Sequence, residues 1–221
     1  MLNRKTHYLQ IALNSTLSEA EEIIRRLPPD ERILIEAGTP LIKEFGAATA
    51  IRYLRQWWQA KVMFPYIVAD LKAMDRGMRE VEIAAENGAS AAVALGQAPI
   101  ETLNIFIETC AKRGLDSMID MMNAAQPVKI LRQLKRPPDV VILHRGVDEE
   151  IFNKSKPVPY VQINKIRASF NVMISVAGGD TIREVQRAIF NSANIAVVWK
   201  PFYQSSADTA RLAEEFLKEI R

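Results

Sequence analysis

The chain has 221 residues, 48% of them hydrophobic, enough to bury the core of one α/β domain, and residues 1–221 are read as a single domain. Lys and Arg number 29 against 26 Asp and Glu, and the basic residues are scattered along amphipathic stretches, which argues against a nucleic-acid partner. A single cysteine, Cys110, excludes an intrachain disulfide and a cysteine metal cluster; with no long apolar run and no signal-like core in the first residues, a soluble, cytoplasmic protein with no membrane partner is expected.

Short apolar runs alternate with amphipathic stretches, the rhythm of a parallel sheet wrapped by helices. The first strand is expected over 8–13, followed by a helix that opens at the Ser15-Thr16 cap and stops at Pro28-Pro29. The second, 33–37, leads into a long helix carrying Tyr53, Trp57 and Trp58. The third is expected over 66–69, with Asp75 opening the helix after it. The fourth spans 91–95, and its helix places Leu103, Ile107 and Cys110 on one apolar face. The fifth spans 117–121, where Met118, Met121 and Met122 fill core space. After the sixth, 140–143, Pro157 and Pro159 predict a loop and only a short helix over 161–169. The seventh and eighth strands are expected over 172–177 and 195–198. The last helix begins near Ser205-Ser206-Ala207-Asp208 and turns Ala210, Leu212, Ala213, Phe216 and Leu217 toward the core. Eight strand-helix units match a (β/α)8 TIM barrel, with a doubly wound open sheet as the alternative.

Polar and glycine residues recur at the strand ends: Asn14, Glu36, Asp70 with Lys72, His144 with Arg145, Gly178 with Gly179, and Lys200. In a barrel those ends form one ring, so side chains far apart in sequence converge on one pocket. Asp70 and Lys72, two apart in a strand, share a face. The bland account of this cluster is a strand-end ion pair, but burying unpaired charge is costly, which favours a use for it.

Glu36 and Asp70, hard oxygen ligands from adjacent strands, suit Mg²⁺, which takes one or two carboxylates and completes its shell with water and substrate oxygens. Lys72 beside such an ion would stabilise the charge of an enediolate. His144 is the one ring residue able to shuttle a proton near neutral pH. Arg145 points to the other side if the strand continues. The amides after Gly178-Gly179, together with Lys200, are candidates for holding a phosphate. Asp120 is hard to account for as packing and joins the candidate substrate ligands.

Taken together, Leu9-Gln10-Ile11-Ala12-Leu13-Asn14, Ile35-Glu36-Ala37-Gly38-Thr39-Pro40-Leu41-Ile42, Ala69-Asp70-Leu71-Lys72-Ala73-Met74-Asp75, Asp120-Met121-Met122-Asn123, His144-Arg145-Gly146-Val147-Asp148 and Val176-Ala177-Gly178-Gly179 resemble the orotidine 5′-monophosphate decarboxylase superfamily. Within it they resemble the branch of 3-hexulose-6-phosphate synthase and 3-keto-L-gulonate-6-phosphate decarboxylase. The resemblance covers nearly the whole chain. It implies a homodimer with shared active sites, Asp75 reaching into the partner's pocket, Mg²⁺ on Glu36 and Asp70, a bound sugar phosphate, and an enediolate that attacks formaldehyde or arises by loss of CO₂. It also implies catalytic roles for Asp70, Lys72, Asp75 and His144.

Three positions depart from the family pattern. Asn14 stands where the first strand usually ends in aspartate, which keeps hydrogen bonding but removes a base. Trp199-Lys200 replaces Gly-Arg after the eighth strand, so an indole fills space that glycine leaves open and an ammonium replaces a bidentate fork. Asp180 replaces an apolar residue and adds negative charge beside the expected phosphate. Two expectations follow: a Mg²⁺-dependent aldolase or decarboxylase of this branch, or a non-catalytic binding paralogue with an altered phosphate site.

Overall fold

The computed structural model describes residues 1–204 and 208–220; the expected start of the last helix at Ser205, Ser206 and Ala207 lies outside them. Eight parallel strands follow one another around a closed barrel: β1 (Tyr8–Leu13), β2 (Ile33–Ala37), β3 (Ile67–Ala73), β4 (Ala91–Leu95), β5 (Asp116–Asp120), β6 (Val140–His144), β7 (Met173–Ala177) and β8 (Ile195–Val198). β1 closes onto β8 with Tyr8 opposite Ile195, so the fold is the (β/α)8 barrel and not the open sheet.

The strands are buried on both faces over most of their length, which is why they read as largely apolar runs. One set of alternate residues, including Leu34, Val68, Val93, Met118, Ile142 and Val197, fills the barrel. The other set, including Leu9, Ile11, Ile33 and Ile35, packs outward on the helices against Ile23, Leu54 and Trp58.

Helix α1 (Leu17–Arg26) starts on a Thr16–Glu19 capping box and ends at Leu27, ahead of Pro28. The long helix expected after β2 is two, α2 (Thr39–Phe45) and α3 (Ala47–Gln59), broken at Gly46, whose φ of 80° costs little without a Cβ. Trp58 is buried, while Tyr53 and Trp57 stack at 5.4 Å. Next come α4 (Gly77–Glu86), α5 (Ile100–Arg113) with buried Leu103, Ile107 and Cys110, and α6 (Pro127–Leu131). After β6 stand α7 (Val147–Phe152) and α8 (Val161–Arg167), and after β7 α9 (Ile182–Phe190); α10 (Lys200–Gln204) and α11 (Thr209–Glu219) complete the chain.

Four further expectations need correction. β3 runs four residues past its expected end at 69. Asp75 does not open a helix, because Arg76 in the left-handed region (φ 51°) delays α4 to Gly77. A helix, α7, forms where a loop was expected, its first turn carrying Asp148, Glu149 and Glu150, charges that suit a helix start. Ala210 is exposed, the buried stripe of α11 being Thr209, Ala213, Phe216 and Leu217. No helix among the described residues is long and apolar enough to cross a membrane.

Candidate active site

Because interior positions recur every second residue, one phase of the strands delivers its polar members to a single mouth. Gln10 and Ala12 come from β1 and Asn14 follows it, Glu36 comes from β2, Asp70 from β3, Asp120 from β5, His144 from β6 and Trp199 follows β8. Together with Lys72 they line a cavity of about 580 Å³.

At the end of β3 the register against β4 shifts between Ala69 and Ala73, and Lys72 adopts a φ of 44°. Such bulges re-aim side chains and persist where the surroundings enforce them. Here the bulge sets Lys72 Nζ 2.8 Å from Asp70 Oδ2 and 3.1 Å from Asp120 Oδ2. Burial would push the ammonium down, but the two carboxylates outweigh it and hold its pKa above the ordinary value.

Asp120 also faces His144, with Oδ2 2.8 Å from Nδ1. Burial works against the Asp120 carboxylate, yet His144 and Lys72 hold its pKa below the usual range. An ionised carboxylate only accepts, so Nδ1 donates and Nε2 is the nitrogen left for the cavity. Burial lowers the His144 pKa less than Asp120 raises it, and the net shift is upward.

Glu36 accepts a hydrogen bond from Gln10 Nε2 at 2.5 Å. Its carboxyl is pushed up to about 7, first by burial and then by the charge of Asp70, with Lys72, Gln10 and His144 pulling the other way. Thr39 Oγ1 lies 2.8 Å from the Asp70 carbonyl and 3.0 Å from its Oδ2. Asp70 Oδ1 and Gln10 Oε1 are buried and accept no hydrogen bond. Two crowded carboxylates, one with an oxygen that accepts no hydrogen bond, make a donor set suited to a hard divalent cation. Among the described residues no group of three or more His, Cys, Asp or Glu could hold a metal, so such an ion would rely on these two carboxylates, water and substrate.

On the opposite side of the mouth, Gly178 takes a φ of 95°, and a Cβ there would run into the Arg145 carbonyl oxygen. The Arg145 guanidinium donates to the carbonyls of Gly178 at 2.8 Å and Lys156 at 3.4 Å. Gly179 packs against Glu184 and does not line the cavity. Nor does Lys200, whose Nζ sits 2.5 Å from Glu150 Oε2 and 3.7 Å from Asp180 Oδ2. Asp75 is exposed and faces a surface hollow with Arg76, Met78 and Ile105, away from the cavity of its own chain.

The structure thus brings together Asn14, Glu36, Asp70, Lys72, Asp120, His144, Arg145 and Gly178, and leaves Asp75, Gly179 and Lys200 outside the lining. Sequence reasoning passed over Gln10, Thr39, Lys43, Asp148 and Glu150, which also line it. Gln10 carried a usable signal, as a polar residue in the inward phase of an apolar strand.

The orotidine 5′-phosphate decarboxylase / HUMPS family model matches residues 7–216. The bifunctional enzyme Fae/Hps of Methanocella arvoryzae is 38% identical over 218 residues, covering 97% of this chain and 53% of that protein. The chain spans about half the length of the curated relatives it matches. Among solved structures, 3-hexulose-6-phosphate synthase from Salmonella typhimurium superposes with a TM-score of 0.84 at 24% identity, covering 96% of this chain and 98% of that one. KGPDC from Streptococcus mutans superposes with a TM-score of 0.79 at 17% identity, with 97% of each chain covered. At these identities the two structures share the barrel.

Proposed function

Because this chain belongs to the orotidine 5′-phosphate decarboxylase / HUMPS family, we propose that it is a lyase of the 3-hexulose-6-phosphate synthase type, joining formaldehyde to ribulose 5-phosphate or cleaving the product. The observation that carries this is the Lys72 ammonium set between Asp70 and Asp120, with His144 Nδ1 on the same Asp120 oxygen that Lys72 contacts. That is a fixed cation beside a proton carrier, which carbanion chemistry next to a carbonyl requires. The likeness to Fae/Hps proteins supports the aldolase over the decarboxylase.

His144 Nε2 takes a proton from the carbon beside the ketose carbonyl, while Asp120 holds the ring and offsets its new charge. Negative charge grows on the neighbouring oxygen, and the Lys72 ammonium, already oriented, meets it without reorganisation. The carbon then forms its bond to formaldehyde, and His144 returns the proton to the new alkoxide. Glu36 and Asp70 would hold Mg²⁺, which supplies Lewis-acid polarisation of the ketose oxygens when bound. Gln10 and Thr39 orient those two carboxylates.

We further propose that two chains pair so that Asp75 of each completes the other's cavity. Exposed Met74 and Met78 beside it are apolar surface suited to such a contact. The direct test of function is an assay of the full chain with Mg²⁺, formaldehyde and ribulose 5-phosphate, run beside 3-keto-L-gulonate 6-phosphate. Condensation with the first substrate is expected. CO₂ release from the second alone would assign the decarboxylase, and the absence of both reactions would overturn the lyase assignment.

A further inference from the structure

Asp180 sits just past β7 with its side chain 11% exposed. Its Oδ1 accepts from the main-chain N–H of Trp199 at 2.8 Å and of Lys200 at 3.4 Å. Its Oδ2 is buried, takes no hydrogen bond and faces the Lys200 ammonium at 3.7 Å. Consecutive amides after a barrel strand, with an ammonium beside them, make a cradle for a small anion. In this chain the anion in that cradle is the protein's own carboxylate.

The remaining donors on this side are also engaged internally. Lys200 Nζ is 2.5 Å from Glu150 Oε2, and the Arg145 guanidinium is bound to two carbonyls. The Thr181–Glu184 capping box takes the N–H groups of both its members at the start of α9. Asp148 and Glu150 add negative charge to the cavity lining, which Trp199 shares with Gly178. A phosphate entering here would have to dislodge a carboxylate from two amides while facing two others.

We propose that Asp180 is a specificity-determining residue: it holds the anion-binding groups that follow β8 against a substrate phosphate, so the site discriminates weakly between a phosphorylated ketose and its unphosphorylated counterpart. This rests on the aldolase assignment of the adjoining cavity, which Trp199 and Glu150 line. Asp180 touches none of the groups assigned to proton transfer, so its effect falls on KM and not on kcat.

The test compares ribulose 5-phosphate with ribulose, in the presence of Mg²⁺ and formaldehyde, for the full chain and for its Asp180→Asn and Asp180→Ala variants. Both variants are expected to raise the preference for the phosphate ester about tenfold or more through a lower KM, with kcat nearly unchanged, as relief of like-charge opposition predicts. Asp180→Asn keeps an acceptor for the Trp199 and Lys200 amides and so preserves the loop. An unchanged KM ratio in that variant overturns the proposal. Calorimetry with inorganic phosphate separates the two claims. If no protein turns over a ketose but both variants bind phosphate and the parent chain does not, the aldolase assignment falls and the role of Asp180 stands. Turnover with identical phosphate binding in all three leaves the assignment and removes that role; no turnover and no binding by any of them overturns both.

Discussion

His144 Nδ1 and Asp120 Oδ2 lie 2.8 Å apart inside the mouth of the barrel, and this contact sets both the tautomer and the basicity of the ring. Burial pulls the imidazole down, the carboxylate pulls it up, and the result lies above 6.5. The pair therefore adds stability that is complete below the unfolded value and is lost as pH rises through the folded one. Proton abstraction needs the neutral ring, so activity rises with pH across that same range. In Asp120→Asn the histidine should titrate lower, the acid limb of the rate profile should move down with it, and kcat should fall roughly 10²-fold or more as the ring loses its orienting charge. Proton NMR of the His144 ring reads the first effect directly, and a titration that stays in place would contradict the assignment.

Glu36 yields a second pH dependence, of opposite origin. Its carboxyl rises from 4.5 when unfolded to about 7 in the fold, so the folded chain holds the extra proton between those values. Without metal, this group makes the protein less stable as pH climbs across that window. Mg²⁺ needs the ionised carboxylate, so its apparent affinity should rise by up to about tenfold per pH unit below 7 and level off above it. Calorimetry with Mg²⁺ alone tests this, and Glu36→Gln should weaken binding about tenfold or more while flattening the profile.

Most of this site was legible because a barrel converts sequence phase into spatial convergence. Glu36, Asp70, Lys72, Asp120 and His144 interrupt or end apolar runs; strand period brings four of them to one mouth, and the bulge at the end of β3 aims Lys72 there as well. What stayed hidden depends on partners distant in sequence. Lys200 looked like a cation for substrate, but Glu150 binds it at 2.5 Å, and Glu150 rides on α7, in a stretch whose prolines suggested only a loop. The amides after Gly178-Gly179 looked available, but the side chains of Thr181 and Glu184 take those at the start of α9. Gln10 was passed over because its strand is otherwise apolar, although it donates to Glu36.

Lys72 balances two buried carboxylates, so its loss should be felt twice. Lys72→Ala removes the cation that meets the developing negative charge, and turnover should fall about 10³-fold or more. It also leaves Asp70 and Asp120 facing each other with less compensation, at a cost of about 3–5 kcal/mol in denaturant unfolding. Lys72→Arg should recover stability better than activity, since a planar fork does not reproduce a compact ammonium at the bulge. Equal recovery of both would assign Lys72 a purely structural role.

Asp75 stands on an exposed loop that follows the bulge holding Lys72, yet it faces away from the cavity to which Lys72 belongs. If two chains exchange this residue, a chain carrying Lys72→Ala and a chain carrying Asp75→Ala are each inactive as homodimers, because every site lacks one group. In a mixed dimer one site inherits both defects. The other combines Lys72 from the Asp75→Ala chain with Asp75 from the Lys72→Ala chain and is whole. With random re-pairing of equal amounts, half the dimers are mixed and about a quarter of all sites should work, a consequence of two-fold symmetry alone. Co-refolding the two variants and measuring turnover against each alone gives the answer. Activity that never exceeds the separate variants, in a sample shown by sedimentation to contain dimers, would place Asp75 outside the partner's chemistry.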